Sequence, residues 1–458
     1  MSSQRRSIHG QWSSRLIFIL AVTGSAVGLG NIWKFPYLVG EHGGGAFVLV
    51  YLACMLIVGL PLLVAEIVIG RRGRCAPAGT MERVATEEGG ARHWKYVGWL
   101  SLLAAFLVLS VYSVIGGWSL AYVFRTAGGV FSGADSFQAV LVFQELIGDP
   151  EKVLAWHTLF MAVTMTLVGR GVREGLEEAI RWFMPLLLLL LIFLAVYAAG
   201  TGQTREALAF LFYPDFSRIS GGVVLVAMGH AFFTLSLGVG AVMVYGAYLH
   251  RRVSVLPVAG VIVGLDVVIA LLAGLVIFPL VFAHGTPADS GLGLVFETMP
   301  LTFAQMDSGV WFGTLFFLLV LFAAWTSAIS LLEPLVAHVV EHTKLDRSLA
   351  TSYVGAAIWA LGVVSILSFN LWEHVRPLGN VSGFEQSTLF DLFSFLAINV
   401  LLPISGLLIA FFAGWRLSKA SVRVELGGEY GWRVWHFTIR FITPLAVLLV
   451  LLHSIRLI

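Results

Sequence analysis

Long stretches without a charged residue recur along the chain, most of them about the length that crosses a bilayer. They run Leu16–Trp33, Gly43–Ala65, Tyr96–Phe124, Val153–Gly169, Trp182–Thr204, Ile219–Leu249, Val267–Pro287, Gly309–Leu332, Ser348–Trp372 and Leu392–Trp415. A last one, Phe441–Ile455, follows Arg440 and extends back to about Trp432. A spanning helix needs about 20 mostly apolar residues, so the pattern predicts an all-α membrane protein of eleven transmembrane helices, numbered in chain order. The interruptions inside these segments matter as much as their length. The first segment contains Gly24-Ser-Ala-Val-Gly-Leu-Gly-Asn31, followed by Lys34-Phe35-Pro36. Each glycine in a helix interior costs about 1 kcal/mol. The stretch therefore predicts unwound backbone at membrane depth, which is tolerated only where it is buried in protein or lines a cavity.

The sixth segment repeats the anomaly with Phe232-Phe-Thr-Leu-Ser-Leu-Gly-Val-Gly240. The two breaks lie five segments apart. Five is odd, so two five-helix halves would insert with opposite topology, and a site at the midplane between broken helices follows. The expected halves are about 12–204 and 219–416, with helix 11 (about 432–457) appended, in one transmembrane transporter domain covering 1–458. Small residues also let helices pack closely without any break, but that reading does not explain two such motifs in matching places.

Composition agrees: 58% of residues are hydrophobic and only 12% charged, against roughly 25% charged in soluble domains. Lys and Arg set orientation. With the N-terminus in the cytoplasm, the inner segments collect Arg5, Arg6, Arg71, Arg72, Arg74, Arg83, Arg170, Arg173, Arg251 and Arg252, among others, and the outer segments hold few. An integral plasma-membrane (prokaryotic inner-membrane) protein with its N-terminus inside and C-terminus outside is expected. No cleavable signal is read at the start. Topology explains the basic loops, so no nucleic-acid partner is expected; the partners implied are a small molecule, ions and membrane lipid. Cys54 and Cys75 lie too far apart in this layout to form a disulfide. The outer segment Ala283–Ser308 carries Val295-Phe296 and Leu301-Thr-Phe303 and is expected to dip inward as a cap. Thr126–Glu151 reads as a plain outer loop.

These residues resemble the neurotransmitter:sodium symporter family. The likeness rests on Trp12-Ser-Ser-Arg15, the Gly24–Pro36 motif, Glu41-His-Gly-Gly-Gly-Ala-Phe47, Pro61 to Glu66 with Gly70-Arg71, Phe232–Gly240 with Tyr245 and Tyr248, and Ala323-Ala-Trp-Thr-Ser327 with Glu333-Pro334. It runs from about Trp12 to the C-terminus. Eleven helices are similar to the short prokaryotic amino-acid transporters of that family. The Gly175 to Pro185 spacing in helix 5 resembles a family motif tied to unwinding of that helix at its inner end. The resemblance implies two sodium sites. One uses the carbonyls of Gly24, Val27 and Ala323 with the hydroxyls of Thr326 and Ser327. The other uses the carbonyl of Ala26, the side chains of Asn31, Thr234 and Asp266, and the substrate carboxylate itself. Oxygen cages of this kind suit hard cations. A lone Ser or Thr in a membrane helix usually back-bonds to the preceding turn, the role expected for Ser25 and Ser330.

The family position of the substrate carboxylate implies the amides of Leu29 and Gly30, at a helix N-terminus, and the hydroxyl of Tyr112. The ammonium would meet carbonyls of Ala26 and Phe233 and the hydroxyls of Thr234 or Ser327. Val108, Phe233, Ser236, Val239, Ser327 and Leu331 would line the side-chain pocket, which holds no charge. At the outer gate Lys34 would face Asp391, in place of the usual Arg; a snorkelling interfacial lysine is the plain alternative. Tyr248 and Glu341 match the inner gate, where His9 stands in place of the family's arginine, with Arg5 and Arg6 nearby. Glu66 would bond the unwound backbone of helix 6. His230 reads as a core histidine, with proton handling as the alternative.

Chloride-dependent relatives carry Asn and, four residues on, Ser in helix 7; this chain has Asp266 and Ala270. An ionised Asp266 then supplies the negative charge, and chloride is not needed. With its cation gone, Asp266 is expected to take up a proton; a permanently protonated donor is the alternative. The function expected is sodium-coupled symport of neutral, hydrophobic or aromatic, L-amino acids by alternating access. Proton coupling on the same fold, a sensor or a channel are the alternatives. No enzyme is read: the histidines are scattered and the carboxylates isolated.

Overall fold

The computed structural model describes residues 7–200, 203–285, 293–426, 429–455 and 457, without the side chains of 429 and 430. Among these residues the regular elements are helices, joined by turns and loops. Among them, nine helices are long and apolar enough to cross a membrane, and Arg15–Ala26 with Gly30–Glu41 makes a further span bent by 56°. That bent pair is helix 1. The sixth apolar segment is two shorter helices, Gly221–Thr234 and Ala241–Ala247, so the two irregular segments are those whose glycines and hydroxyls predict it.

Each break has a local cause. Val27 leaves the helical region at φ −77°, ψ 85°, and helix 1 resumes at Gly30 as a π-turn before Phe35. Pro36 lies just past this π-turn, as the second residue of the α-helical stretch Phe35–Glu41. In helix 6, Ser236, Gly238 and Gly240 all have positive φ, 52°, 83° and 78°. A left-handed conformation is easy for glycine and strained for serine. Ser236 is held there by its hydroxyl, which donates to the Ser25 carbonyl at 2.7 Å. That bond ties one break to the other.

Around the breaks stand helix 2 (Gly45–Gly73), helix 3 (Arg92–Ala127), helix 5 (Val172–Ala199), helix 7 (Val255–His284), helix 8 (Gly309–His342) and helix 10 (Leu389–Trp415). Helices 3 and 8 pack lengthwise at the centre. Gly70 of helix 2 lies so close to helix 6 that a Cβ there would stand 1.8 Å from the Met243 carbonyl oxygen. Helix 4 (Pro150–Gly169), helix 9 (Arg347–Leu367) and helix 11 (Gly431–Ser454) complete the set, and these three and helix 5 have the larger share of their surface outside.

Several expected boundaries move. Helix 7 begins at Val255, not Val267, so Asp266 lies inside it, 0% exposed; its carboxylate is bonded by neighbouring helices and need not end the span. Helix 8 runs on past Leu332 to His342 because Glu333 is likewise paired inside the protein. The stretch expected to be an outer loop, Thr126–Glu151, contains a helix, Ser136–Gly148, started by an Asp135–Gln138 capping box; the reciprocal bonds of such a box stabilise the first turn. The cap segment is a short helix, Leu294–Ala304, whose Phe296 is 1% exposed against Trp118, Tyr122 and Phe143; residues 286–292 of that segment are outside the described residues. The inner end of helix 5 is a π-helix over Val172–Glu177 rather than unwound. A Cβ on Gly175 would meet the Leu167 carbonyl oxygen at 1.9 Å.

Candidate ion and substrate site

The two breaks face one small cavity. Ala26, Leu29, Gly30, Val108, Tyr112, Phe233, Thr234, Ser236, Val239, Ser327 and Leu331 all line it, as the resemblance implies, joined by Ser25, Gly28 and Leu402. Interrupting helix 1 frees the Leu29 amide, which donates to the Tyr112 hydroxyl at 3.3 Å. A freed N–H and a phenol pointing at one place suit a carboxylate. Two glycines keep the space. A Cβ on Gly28 would lie 2.4 Å from Ser327 Oγ and 3.0 Å from Tyr112 Oη, and one on Gly30 would lie 3.3 Å from Phe233. The apolar part of the lining is Val108, Val239, Leu331 and Leu402. No ionised side chain lines the cavity, so nothing there could neutralise a charged substrate side chain.

Beside the cavity four polar side chains from helices 1, 2, 6 and 7 meet. Asn31 Nδ2 donates to Asp266 Oδ1 at 2.9 Å. The Thr234 hydroxyl lies 3.0 Å from Asn31 Oδ1 and 3.3 Å from Asp266 Oδ1. Tyr51 donates to Asp266 Oδ2 at 3.1 Å. Asn31 and Asp266 are 0% exposed and Thr234 2%. A buried carboxylate is costly unless it is hydrogen-bonded or faces a cation, and this one has the first and is suited to the second. Its oxygen-rich neighbours fit a hard cation. Tyr51 was not foreseen as a member; an apolar segment with one tyrosine gives no signal of where that hydroxyl points.

The second group of oxygens lies where helix 1 crosses helix 8. A Cβ on Gly24 would stand 3.4 Å from Thr326 Cβ and 2.9 Å from Met184 Sδ of helix 5. Thr326 Oγ1 donates to the Ala323 carbonyl at 3.0 Å. This is back-bonding to the preceding turn, where the resemblance implies an ion-facing hydroxyl. Val27 lies at the break itself, 0% exposed. Ser25 departs from the expected back-bonding: its hydroxyl crosses to Ser330 Oγ at 2.8 Å, and only Ser330 turns back, to Ser327 O at 2.7 Å. The small residues of helices 1 and 8 bring those two hydroxyls within reach.

Glu66 is 0% exposed, and its Oε1 accepts from the Gly238 amide in the helix 6 break at 2.7 Å. His230 is 2% exposed and packs its ring against Phe35 and Tyr51 at 6.0 and 5.4 Å.

The gates differ from expectation. Lys34 does not pair with Asp391: its ammonium sits 4.4 Å over the Phe233 ring. Asp391 instead caps its own helix, accepting from the Thr388 amide and hydroxyl at 2.9 and 2.8 Å. Three residues into a helix, a carboxylate reaches back to the cap more readily than across a cavity. Helix 10 meets Lys34 in the outer cavity through Phe390, Ser394, Ala397 and Ile398, of which Ser394 is the polar one.

At the inner end Tyr248 does not touch Glu341. Its hydroxyl donates to Glu333 Oε1 at 2.6 Å, and Glu333 also pairs with Arg347. Glu341 accepts from the Ala76 amide at 2.8 Å and pairs with His9 Nε2 at 3.1 Å. Arg5 and Arg6 lie outside the described residues. Trp12 seals the gap, its indole donating to the Tyr245 carbonyl at 3.0 Å. The Ser13 amide and hydroxyl bond Glu177 of helix 5, which also pairs with Arg181. Glu333 and Arg347 are the members sequence reasoning missed. A carboxylate in an apolar segment was the available signal.

A family profile described as "Sodium:neurotransmitter symporter family" matches residues 9–132 and 136–458. An uncharacterized sodium-dependent transporter of Bacillus subtilis, YhdH, is 37% identical over 450 residues, covering 97% of both chains. The sodium-dependent neutral amino acid transporter B(0)AT2 of Bos taurus is 27% identical over 278 residues, 54% of this chain and 37% of its own. The crystal structure of MhsT in complex with L-phenylalanine superposes with a TM-score of 0.87 at 41% identity, covering 97% of this chain and 99% of that one.

Proposed function

The chain belongs to the sodium:neurotransmitter symporter family and is a sodium-dependent membrane transporter, and from that premise we propose that it imports neutral hydrophobic or aromatic L-amino acids together with sodium. The carrying observation is the uncharged cavity between the two breaks, lined by the Leu29 amide and Tyr112 hydroxyl together with Val108, Val239 and Leu331. The relative crystallised with L-phenylalanine supports an aromatic or aliphatic side chain in such a cavity.

The proposed ion positions are two. The first is Ala26, Asn31, Thr234 and Asp266 with the substrate carboxylate; the second is Gly24, Val27, Ala323, Thr326 and Ser327. In this reading ion and substrate complete each other's sites, which is the physical coupling. Asp266 supplies the negative charge, so no chloride is used. The end bearing His9 and Glu341 faces the cytoplasm, and the two halves about 12–204 and 219–416 rock around the site. Two sodium ions with a zwitterion carry two charges, worth roughly 4.6 kcal/mol at 100 mV. That alone supports about three decades of accumulation.

Purified protein in liposomes tests this. Labelled leucine, phenylalanine and tryptophan should accumulate under an inward sodium gradient and not under a potassium or proton gradient alone. Glutamate and lysine should fail to compete. Accumulation driven equally well by protons without sodium would overturn the coupling.

A further inference from the structure

The inner end of the molecule is held shut by a histidine. His9 Nε2 lies 3.1 Å from Glu341 Oε1, and the two side chains are only 3% and 10% exposed. The carboxylate is a junction of three elements. It belongs to helix 8, it receives the N-terminal segment through His9, and it accepts the Ala76 amide with both oxygens at 2.8 and 3.0 Å. Ala76 is the cap residue of the inner-loop helix Pro77–Glu87 and has no side chain with which to cap it. Glu341 takes over that task, at a helix N-terminus where negative charge is favoured. His9 is the variable partner: an imidazole changes charge across the physiological range, whereas a guanidinium does not.

We propose that His9 is a positioning residue that makes opening of the inner gate depend on cytoplasmic pH. This rests on the transporter reading above, in which this end faces the cytoplasm. Protonated, His9 forms a charge-assisted bond to Glu341 and holds the N-terminal segment across the inner mouth. Neutral, it keeps a hydrogen bond to the carboxylate but loses the opposing full charge, and the segment lifts more readily. Trp12 and Ser13 would lift with it. Acid on the cytoplasmic side therefore slows opening.

Other titratable groups stand near. The Tyr248 ring lies 5.9 Å from His9, backed by Glu333 and Arg347. On helix 8 the rings of His338 and His342 are 4.2 Å apart, and Arg74 and Cys75 adjoin Ala76. Glu82, Arg83, Glu87 and Arg92 line the same inner pocket as Glu341, so the test must separate His9 from all of these groups.

Exchange of labelled for unlabelled phenylalanine, with saturating sodium on both sides, isolates gate opening from return of the empty carrier. In the wild type, exchange should fall roughly tenfold as internal pH drops from about 8 to about 6, the factor that ~1.4 kcal/mol makes in a rate. His9→Gln should be fast and His9→Arg slow, both without that slope. If only the Gln variant folds, its flat profile still decides. A fall of the same size in His9→Gln overturns the proposal and assigns the effect to other groups. No exchange by the wild type at any internal pH overturns the transporter reading instead.

Discussion

The amide of Asn31 donates to the carboxylate of Asp266 at 2.9 Å, joining the resumed part of helix 1 to the middle of helix 7. In the proposed reading an ionised Asp266 puts a negative charge beside the ion position next to the substrate. Ala270, one turn further along helix 7, is 0% exposed and offers no hydroxyl to an anion. Uptake should therefore proceed unchanged when chloride is replaced by gluconate. Exchanging the charge for a place to hold an anion, by Asp266→Asn with Ala270→Ser, should create a chloride requirement. Wild-type uptake that stops in gluconate would remove Asp266 from this role.

Thr326 and Ser327 carry the only side-chain oxygens in the other proposed ion position. Losing a buried polar partner costs about 1–3 kcal/mol, so Thr326→Ala with Ser327→Ala should weaken sodium affinity roughly 5- to 150-fold. Sodium-dependent binding of labelled phenylalanine, measured by scintillation proximity, reads this directly. An unchanged sodium dependence in the double variant would mean that the ion sits elsewhere.

Val239 is 2% exposed in the apolar part of the cavity lining. Burying a leucine-sized side chain contributes about 1.5–3 kcal/mol. Val239→Trp should remove that space, so leucine and tryptophan lose affinity before alanine or glycine does. Competition binding with the four amino acids tests the order. Equal losses across all four would point to general damage and not to a side-chain pocket.

Glu66 holds the Gly238 amide of the helix 6 break. Glu66→Ala leaves that buried donor without its partner, at a cost of about 1–3 kcal/mol. A lower thermal midpoint and weaker substrate binding are expected together, because the same break lines the cavity. Glu66→Gln keeps an oxygen acceptor and should retain most of both. If Gln behaves like Ala, the carboxylate acts through its charge and not through this bond.

Arg347 reaches Glu333, which is 0% exposed and also bonded by Tyr248. Removing one member of a buried ion pair typically costs about 3–5 kcal/mol, because the other charge is left uncompensated. Arg347→Ala should sharply lower stability, read as detergent-solubilised protein surviving heating. Adding Glu333→Gln should restore much of the loss, since a neutral amide still meets Tyr248. A double variant no better than the single would show that Arg347 matters for packing alone.

Much of this architecture was readable along the chain. Apolar run length predicts spanning helices because a bilayer imposes one thickness, and glycines at Gly24, Gly28, Gly30, Gly238 and Gly240 predict breaks because helices disfavour them. The cavity lining followed from the family resemblance, which also placed Val108, Tyr112, Ser327 and Leu331 of the unbroken helices 3 and 8 beside the breaks. What only the tertiary structure decided concerns side chains that choose among partners. Asp391 turned back to Thr388, Tyr248 went to Glu333, Ser25 crossed to Ser330, and Tyr51 joined Asp266. A polar side chain in a protein interior takes whichever partner packing brings within about 3 Å. That distance is set by how helices far apart in sequence lean together, and no local pattern records it.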